Sequence, residues 1–501
     1  MDILNNLALG FSVAGLPENL LYCFLGALAG TLVGVLPGVG PTATIAMLLP
    51  ATFSLPAEGA VIMLAGIYYG AQYGGSTTAI LLNLPGEASA VVTAIDGNQM
   101  ARQGRGGVAL AIAAIGSFIA GTFATVLIAL LAEPLTSVAL LFGPWEYFSL
   151  LVMGLVAAVV LSHGSVIKAI TMVVLGLLLG LAGTDIYTGL PRFTFGIPQL
   201  REGFDFVAFS VGIFGIAEIL RNLESPEGRQ NGVARISSLI PSRKDFRETA
   251  MPIMRGTLIG SFLGILPGGG ATLSSFASYA VEKQVSRHPE EFGTGAIAGV
   301  AGPESANNAG SQVSFIPMLT LGIPSNPVMA LVIGAMIMQG IVPGPNVATD
   351  RPELFWGIIA SMWIGNLMLI LLNLPLVGLW VRLLKVPYFV LFPGIVIFST
   401  VGIYSINQNA YDLVAISAFG VLGYVLYKLA FEPAPLILGF ILGPMLEEHL
   451  RRAMLISQGD VMSFVERPIS ATLLGFSILL LVLISVPTLR RRREVIFTEE
   501  E

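Results

Sequence analysis

Gly30-Thr-Leu-Val-Gly-Val-Leu-Pro37-Gly38-Val-Gly40-Pro41-Thr42-Ala-Thr44 decides how this chain is built. It returns 230 residues later as Gly260-Ser-Phe-Leu-Gly-Ile-Leu-Pro267-Gly268-Gly-Gly270-Ala271-Thr272-Leu-Ser274. Seven of the fifteen aligned positions are identical: Gly30/Gly260, Gly34/Gly264, Leu36/Leu266, Pro37/Pro267, Gly38/Gly268, Gly40/Gly270 and Thr42/Thr272. Unrelated segments would share about one position, so the match marks an internal duplication. In each copy an apolar helical run meets Leu-Pro-Gly-x-Gly. Proline removes a backbone donor and glycine permits a sharp turn. In a bilayer such broken backbone survives only where protein buries it or a wet cavity runs beside it. A pair of interrupted apolar segments at matching places in two halves points to a transporter's binding site. The structural alternative is two kinked helices that share a packing motif.

Outward from this pair, composition sets the class. Of 501 residues, 54% are hydrophobic and 11% charged, and mean hydropathy is +0.82. Soluble domains carry about 25% charge. Apolar runs of membrane-spanning length recur throughout, so an all-α polytopic membrane protein of about 11–12 spans is expected. The 58 glycines suit close helix packing in lipid. The one cysteine, Cys23, leaves no internal disulfide. The N-terminus lacks a basic region before a short apolar run, so no cleaved signal peptide is read.

The duplication divides the chain. Residues 1–221 form a first half with a re-entrant hairpin at about 20–52 and a broken span at about 59–98, interrupted at Leu84-Pro85-Gly86-Glu87. Residues 222–250 are a basic hydrophilic linker. Residues 251–501 form the second half, with a hairpin at about 253–281 and a broken span at about 293–340. Residues 1–19 are polar and apolar mixed, with Asp2 and Glu18 and no Lys or Arg, and 433–446 read as a short apolar piece. Equivalent loops carry opposite charge bias. The segment before the first hairpin has no Lys or Arg and the one before the second is basic, whereas Arg102 and Arg105 follow the first broken span. Positive loops stay in the cytoplasm, so the halves should be inverted, with the linker inside. The Arg490–Arg493 cluster also wants the cytoplasm, which five crossings in the second half would not give: either 433–446 crosses as well, the favoured reading, or the span count is off by one.

Polar residues cluster beside the breaks. In the first half they are Gln72, Tyr73, Ser76, Thr77, Thr78, Asn83 and Glu87. In the second they are Glu304, Ser305, Asn307, Asn308, Ser311, Gln312, Ser314, Ser325 and Asn326. At membrane depth uncompensated polar groups are costly, so a hydrated site is the simplest explanation. Hydroxyls, amides and half-helix N–H groups suit carboxylates, and unwound carbonyls with Asn and Ser oxygens suit Na+. The substrate-binding candidates are therefore Pro37, Gly38, Gly40, Thr42, Ser76, Thr77, Thr78, Asn83, Gly268, Gly270, Thr272, Asn307, Asn308, Ser311 and Ser325. The cation-coupling candidates are Glu87, Glu304, Asn83 and Asn308. The competing account is that these groups glue helices or bond their own carbonyls, and that Glu87 and Glu304 cap neighbouring half-helices. Asp96 reads as a loop or cap residue. No enzyme is expected: the three histidines form no metal spacing and no P-loop is present. No nucleic-acid partner and no cofactor beyond a bound Na+ are expected. A channel built from paired hairpins is the rival reading.

At Gly34-Val-Leu-Pro-Gly-Val-Gly-Pro, Tyr69-Gly-Ala-Gln-Tyr-Gly-Gly-Ser-Thr-Thr, Asn83-Leu-Pro-Gly-Glu and Ala94-Ile-Asp-Gly, and again at Gly302-Pro-Glu-Ser-Ala-Asn-Asn-Ala and Leu321-Gly-Ile-Pro-Ser, the chain resembles the large membrane subunit, TctA-type, of the tripartite tricarboxylate transporters. The resemblance covers essentially the whole chain. It implies a bacterial inner-membrane secondary transporter driven by an Na+ or H+ gradient. It also implies a small four-span membrane subunit (TctB-type), a periplasmic solute-binding protein (TctC-type) and citrate-like or related carboxylate substrates.

Overall fold

Proline and glycine punctuate this chain, and the helices start and stop at them. The computed structural model describes residues 3–36, 40–162, 165–185, 187–224, 238–266, 270–383 and 388–485. Pro37, Gly38 and Gly268, three of the candidate site residues, lie outside the described residues, as do Pro267 and Arg490–Arg493. The longer helices are numbered here. The first group is α1 (Ile3–Ala14), α2 (Pro17–Val35), α3 (Pro41–Thr52), α4 (Ala57–Leu82) and α5 (Val91–Arg102). The next are α6 (Gly106–Ala139), α7 (Pro144–Leu161), α8 (Val166–Gly180) and α9 (Phe206–Glu224), the last with a π segment at Val211–Ile216. Then come α10 (Arg243–Leu263), α11 (Gly270–Val285), α12 (Ala298–Val313), α13 (Phe315–Leu321) and α14 (Pro327–Met338). The last are α15 (Pro352–Asn373), α16 (Tyr388–Asn407), α17 (Ala410–Lys428), α18 (Ala434–Ile456) and α19 (Pro468–Ser485). Gly183–Thr184 pairs antiparallel with Pro191–Arg192 as a short ribbon. Among the described residues six helices are long and apolar enough to cross a membrane: α2, α6, α7, α9, α15 and α17.

The glycines of the duplicated stretch set the closest helix packing. On α2, Cβ atoms added at Gly26, Gly30 and Gly34 would lie 2.2, 2.3 and 2.4 Å from the carbonyl oxygens of Met63, Ile67 and Ala71 on α4. On α10, the same additions at Gly256 and Gly260, and at Gly264 just beyond its end, would lie 2.2, 2.2 and 2.4 Å from the carbonyl oxygens of Gly302, Ala306 and Gly310 on α12. Each ladder occupies successive i, i+4 positions, one face of its helix. Because the obstacle is backbone, no rotamer change relieves it. Gly260→Ala and Gly30→Ala are each expected to cost about 1–3 kcal/mol by overpacking. The check is thermal unfolding of the purified protein in detergent. Gly378→Ala, where nothing lies within 4 Å, should leave the midpoint in place.

The breaks also match. Helix α4 ends at Asn83 in the left-handed region, φ 58°, and α13 ends at Gly322, φ 72°. Leu84 N–H then donates to Thr78 O, as Ile323 N–H donates to Pro317 O. The chain re-enters helix through extended residues, Glu87 at φ −152° and Asn326 at φ −157°. Further on, α5 and α14 end alike, with positive φ at Gly104 and Gly340. The glutamine just before each of these glycines reaches to a distant segment. Gln103 Nε2 donates to Thr294 O at 2.7 Å, and Gln339 Nε2 donates to Thr52 O at 3.2 Å.

Two expectations need correction. Residues 1–19, for which the sequence assigns no element, hold helix α1, with Asn6 Nδ2 donating to Glu133 Oε1 at 2.6 Å and Gly10 packed on Trp356. The piece at 433–446 continues to Ile456 as α18, 23 residues long. The charges that would have ended it satisfy one another. Glu447 and Arg451 pair at 2.6 Å and Glu448 and Arg452 at 3.3 Å, both at i,i+4 spacing. Arg451 and Arg192 also reach Asp185 in the loop after α8, at 2.7 and 3.4 Å. The N–H groups of Thr188 and Tyr187, with the Arg451 guanidinium, hold the Asp185 carboxyl down at about 2 against the opposing pull of burial.

Candidate functional site

A proline as first helical residue fixes φ without wasting an N–H. The chain uses that start repeatedly around one cavity. Pro41 opens α3 after Gly40, Pro327 opens α14 after Asn326, and α18 begins beside Pro433 and Pro435. Helix α11 begins at Gly270, whose φ of +49° lets the chain turn sharply into it. All four N-termini line a single cavity of about 300 Å³, through Gly40 to Thr42, Gly270 to Thr272, Asn326 to Val328, and Ala434 with Pro435. First-turn N–H groups have no partner inside their own helix and sit at the positive end of its dipole.

Side chains complete the wall. Tyr68 and Gln72 come from α4, Glu87 from the break that follows it, and Glu432 from the turn before α18. Asn326 is the best-anchored member. Its Oδ1 accepts the Met329 N–H at 3.0 Å, capping α14, while its Nδ2 donates to Tyr68 Oη at 3.3 Å and Ser314 Oγ at 3.1 Å. Glu87 accepts from Ser89 Oγ, which also bonds Gln72 Oε1 at 2.8 Å. Among the described residues the lining contains the carboxyl groups of Glu87 and Glu432 and no Lys, Arg or His.

A second polar cluster lies deeper, on α12. Glu304 is fully buried. Its Oε2 accepts from Ser76 Oγ and its Oε1 from Thr93 Oγ1, both at 2.5 Å. One helical turn on, Asn308 Nδ2 donates to Ser117 Oγ at 2.7 Å and to Asn307 Oδ1 at 2.6 Å. Asn308 Oδ1 is buried without a partner. Tyr73, Ser76, Thr77, Ser117 and Glu304 surround a void of about 10 Å³.

Sorted by position, the candidates divide. Gly40, Thr42, Gly270, Thr272 and Glu87 meet at the large cavity. Ser76, Thr77, Asn307, Asn308 and Glu304 belong to or flank the deeper cluster. Thr78 and Ser311 bond backbone of their own helices, at Gly75 O and Asn308 O. Ser325 donates to Ser314 O at 3.3 Å, beside Asn326. Asn83 is exposed and serves as the left-handed terminus of α4, away from both cavities. Glu304 sits mid-helix and caps nothing. Asp96, expected in a loop or cap, is buried within α5. There it caps a distant segment: Oδ1 accepts the N–H groups of Gly293, Gly295 and Ala296 at 2.8, 2.9 and 2.9 Å, and Oδ2 accepts Tyr279 Oη–H at 2.9 Å. Tyr68, Thr93, Asn326 and Glu432 were not among the candidates. Asn326 had a signal, since it stands opposite Glu87 at the offset that aligns Leu84-Pro85 with Ile323-Pro324.

An uncharacterized 52.8 kDa protein from the TAR-I ttuC′ 3′ region of Agrobacterium vitis is 61% identical over 501 residues, the whole of both chains. A second protein of that organism, from the TAR-II ttuC′ 3′ region, is 63% identical over 242 residues, covering 48% of this chain and all of its own. No solved structure matches. The profile of the tripartite tricarboxylate transporter TctA family matches residues 20–438. The chain, a multi-pass helical protein with no enzymatic role, belongs to the tripartite tricarboxylate transporter TctA family.

Proposed function

We propose that this chain is the large membrane subunit of a binding-protein-dependent secondary importer of tricarboxylates or related carboxylates in a bacterial inner membrane. The observation that carries the reading is the convergence of four helix N-termini on one cavity. N–H groups and helix dipoles are good partners for carboxylates, and Thr42, Thr272, Tyr68, Gln72 and Asn326 add donors. With Glu87 in the wall and no Lys or Arg among the described lining residues, a co-bound cation would offset the charge of a bound polycarboxylate, which fits a Na+ or H+ gradient as driving force.

The halves act as inverted repeats in this reading. Segments α2 with α3 and α10 with α11 are re-entrant hairpins whose tips face each other across the substrate. The broken paths α4 to α5 and α12 to α14 cross from opposite sides. Helix α18, about 35 Å long at 1.5 Å per residue, is the extra crossing. It returns the end of α19 to the linker side, which the positive-inside rule makes cytoplasmic. The small membrane subunit and the periplasmic binding protein complete the system.

The test is uptake of radiolabelled citrate into proteoliposomes with the small subunit. It is run with and without the binding protein, under an imposed Na+ gradient and then an H+ gradient. Uptake should need the binding protein and one gradient. Hydrogen bonds to a charged ligand are worth about 1.5–3 kcal/mol, so Thr42→Val with Thr272→Val should cut uptake by tenfold or more at normal expression. Rapid flux that ignores gradient and binding protein would sink the importer reading.

A further inference from the structure

Two of the helices that start at the 300 Å³ cavity leave it in the same direction, α14 from Pro327 and α18 from Ala434. Two turns along, the Phe206 ring stands between them. Gly334 on α14 leaves the room that the ring fills: a Cβ added there would lie 2.1 Å from Phe206 Cε1. On the other side the ring centroid is 6.3 Å from that of Phe440 on α18. Asp205 sets the start of α9, and with it the ring, by accepting the Ala208 N–H at 2.7 Å. The seam around this wedge is aromatic. Phe209 stacks on Phe440 at 4.2 Å and meets Phe419 of α17 edge-on at 5.1 Å. Six or seven helical residues separate the ring from the cavity, about 10 Å at 1.5 Å each.

The opposite end of the cavity is walled by helix ends and a turn. Helix α9 runs from Phe206 to Glu224, about 27 Å away, where the 222–250 linker leaves it. Glu224 accepts from Tyr424 Oη at 2.8 Å and from Lys428, both near the end of α17. Four residues after Lys428, Glu432 enters the cavity wall, followed by Ala434 and Pro435. Helix α7 runs antiparallel to α18, with Tyr147 stacked on His449. Its last residue, Leu161, and Ser162 therefore reach the wall at this same end. We infer that the cavity is entered here from the linker side, and that Phe206, seated between Gly334 and Phe440, is the barrier that closes it to the other side. The inference rests on the importer reading for its purpose: an incoming carboxylate must pass Phe206 to reach Thr42 and Thr272.

The experiment reads the labelling rate of single cysteines by a membrane-impermeant maleimide, in right-side-out and inside-out vesicles without carboxylate or binding protein. Wild type, whose one cysteine, Cys23, is buried, gives the background. Ser238→Cys marks the linker side and Gln199→Cys, in the loop before α9, marks the other; both positions are exposed. Ala88→Cys reports on the cavity, which that exposed residue lines. It should label at least tenfold faster in the vesicles that expose Ser238→Cys. Adding Phe206→Ala should raise its rate from the other side at least tenfold. Gly334→Ala drives the ring from its seat without removing it, so it should do the same and serves where Phe206→Ala folds poorly. Labelling of Ala88→Cys chiefly from the Gln199→Cys side would overturn the entry route. An unchanged rate with either addition, in folded protein, would overturn the barrier. Equal rates from both sides before any change at Phe206 would overturn both and favour an open pore. The expected pattern in a protein that takes up no carboxylate would support the barrier and remove the importer reading.

Discussion

Arg255→Ala should lower the stability of the protein by about 3–5 kcal/mol, the cost of breaking a buried pair from one side. Arg255 on α10 grips Glu282 on α11 through both arms of its fork, Nε to Oε1 at 2.8 Å and Nη2 to Oε2 at 2.5 Å. Glu282 is only 1% exposed and Arg255 35%. The damage therefore comes less from the lost attraction than from the charge left behind. Two further variants separate these. Arg255→Lys keeps the charge without the planar fork and should fall between wild type and Arg255→Ala. Adding Glu282→Gln to Arg255→Ala removes the stranded charge and should recover part of the loss. Thermal midpoints in detergent read all three. A midpoint for Arg255→Ala equal to wild type would show that the pair does not hold α10 to α11.

Asp96→Ala comes next in size. Three backbone N–H groups and one phenol converge on its carboxylate. An unmade buried donor costs about 1–3 kcal/mol; with the Ala296 amide buried and the Gly293 and Gly295 amides only half-buried, the loss is expected to be about 2–4 kcal/mol. Asp96→Asn is the informative partner. Its Oδ1 can still accept the three N–H groups, and its amide can donate to the Tyr279 oxygen. It should give up only the charge-assisted part, roughly 1–2 kcal/mol. Similar losses in the two variants would mean that charge, not shape, holds the start of α12. Hydrogen exchange at Gly295 and Ala296 offers a local check, since their amides should open first in Asp96→Ala.

The duplicated stretch was readable because its physics is local. Glycine at i, i+4 spacing and Pro-Gly at a helix end announce close packing and a break wherever they occur. The same holds for Leu84-Pro85 and Ile323-Pro324, whose helices stop one or two residues earlier in left-handed residues. The polar clusters were readable as clusters, but not which member faces which cavity. Glu304 meets Ser76 and Thr93 across 228 and 211 residues of chain, and no periodicity encodes a partner at that range. Asn83, beside the Leu84-Pro85 break, is exposed, and its backbone takes the left-handed conformation that ends α4. Helix α18 was cut short for another reason. Its charges look like a terminus until Asp185 and Arg192, from a separate loop, arrive to pair with them.

The crossed glutamines carry a consequence for how the protein is made. Gln103 waits for Thr294, 191 residues later, and Thr52 waits for Gln339, 287 residues later. At about 5–20 residues per second, the ribosome needs roughly 10–40 s to supply the first partner and longer for the second. During that interval the first half is already inserted while the carboxylate of Asp96 still lacks its three amides. Until the second half arrives, the Asp96 carboxylate must find other donors for the bonds that Gly293, Gly295 and Ala296 give it in the finished fold.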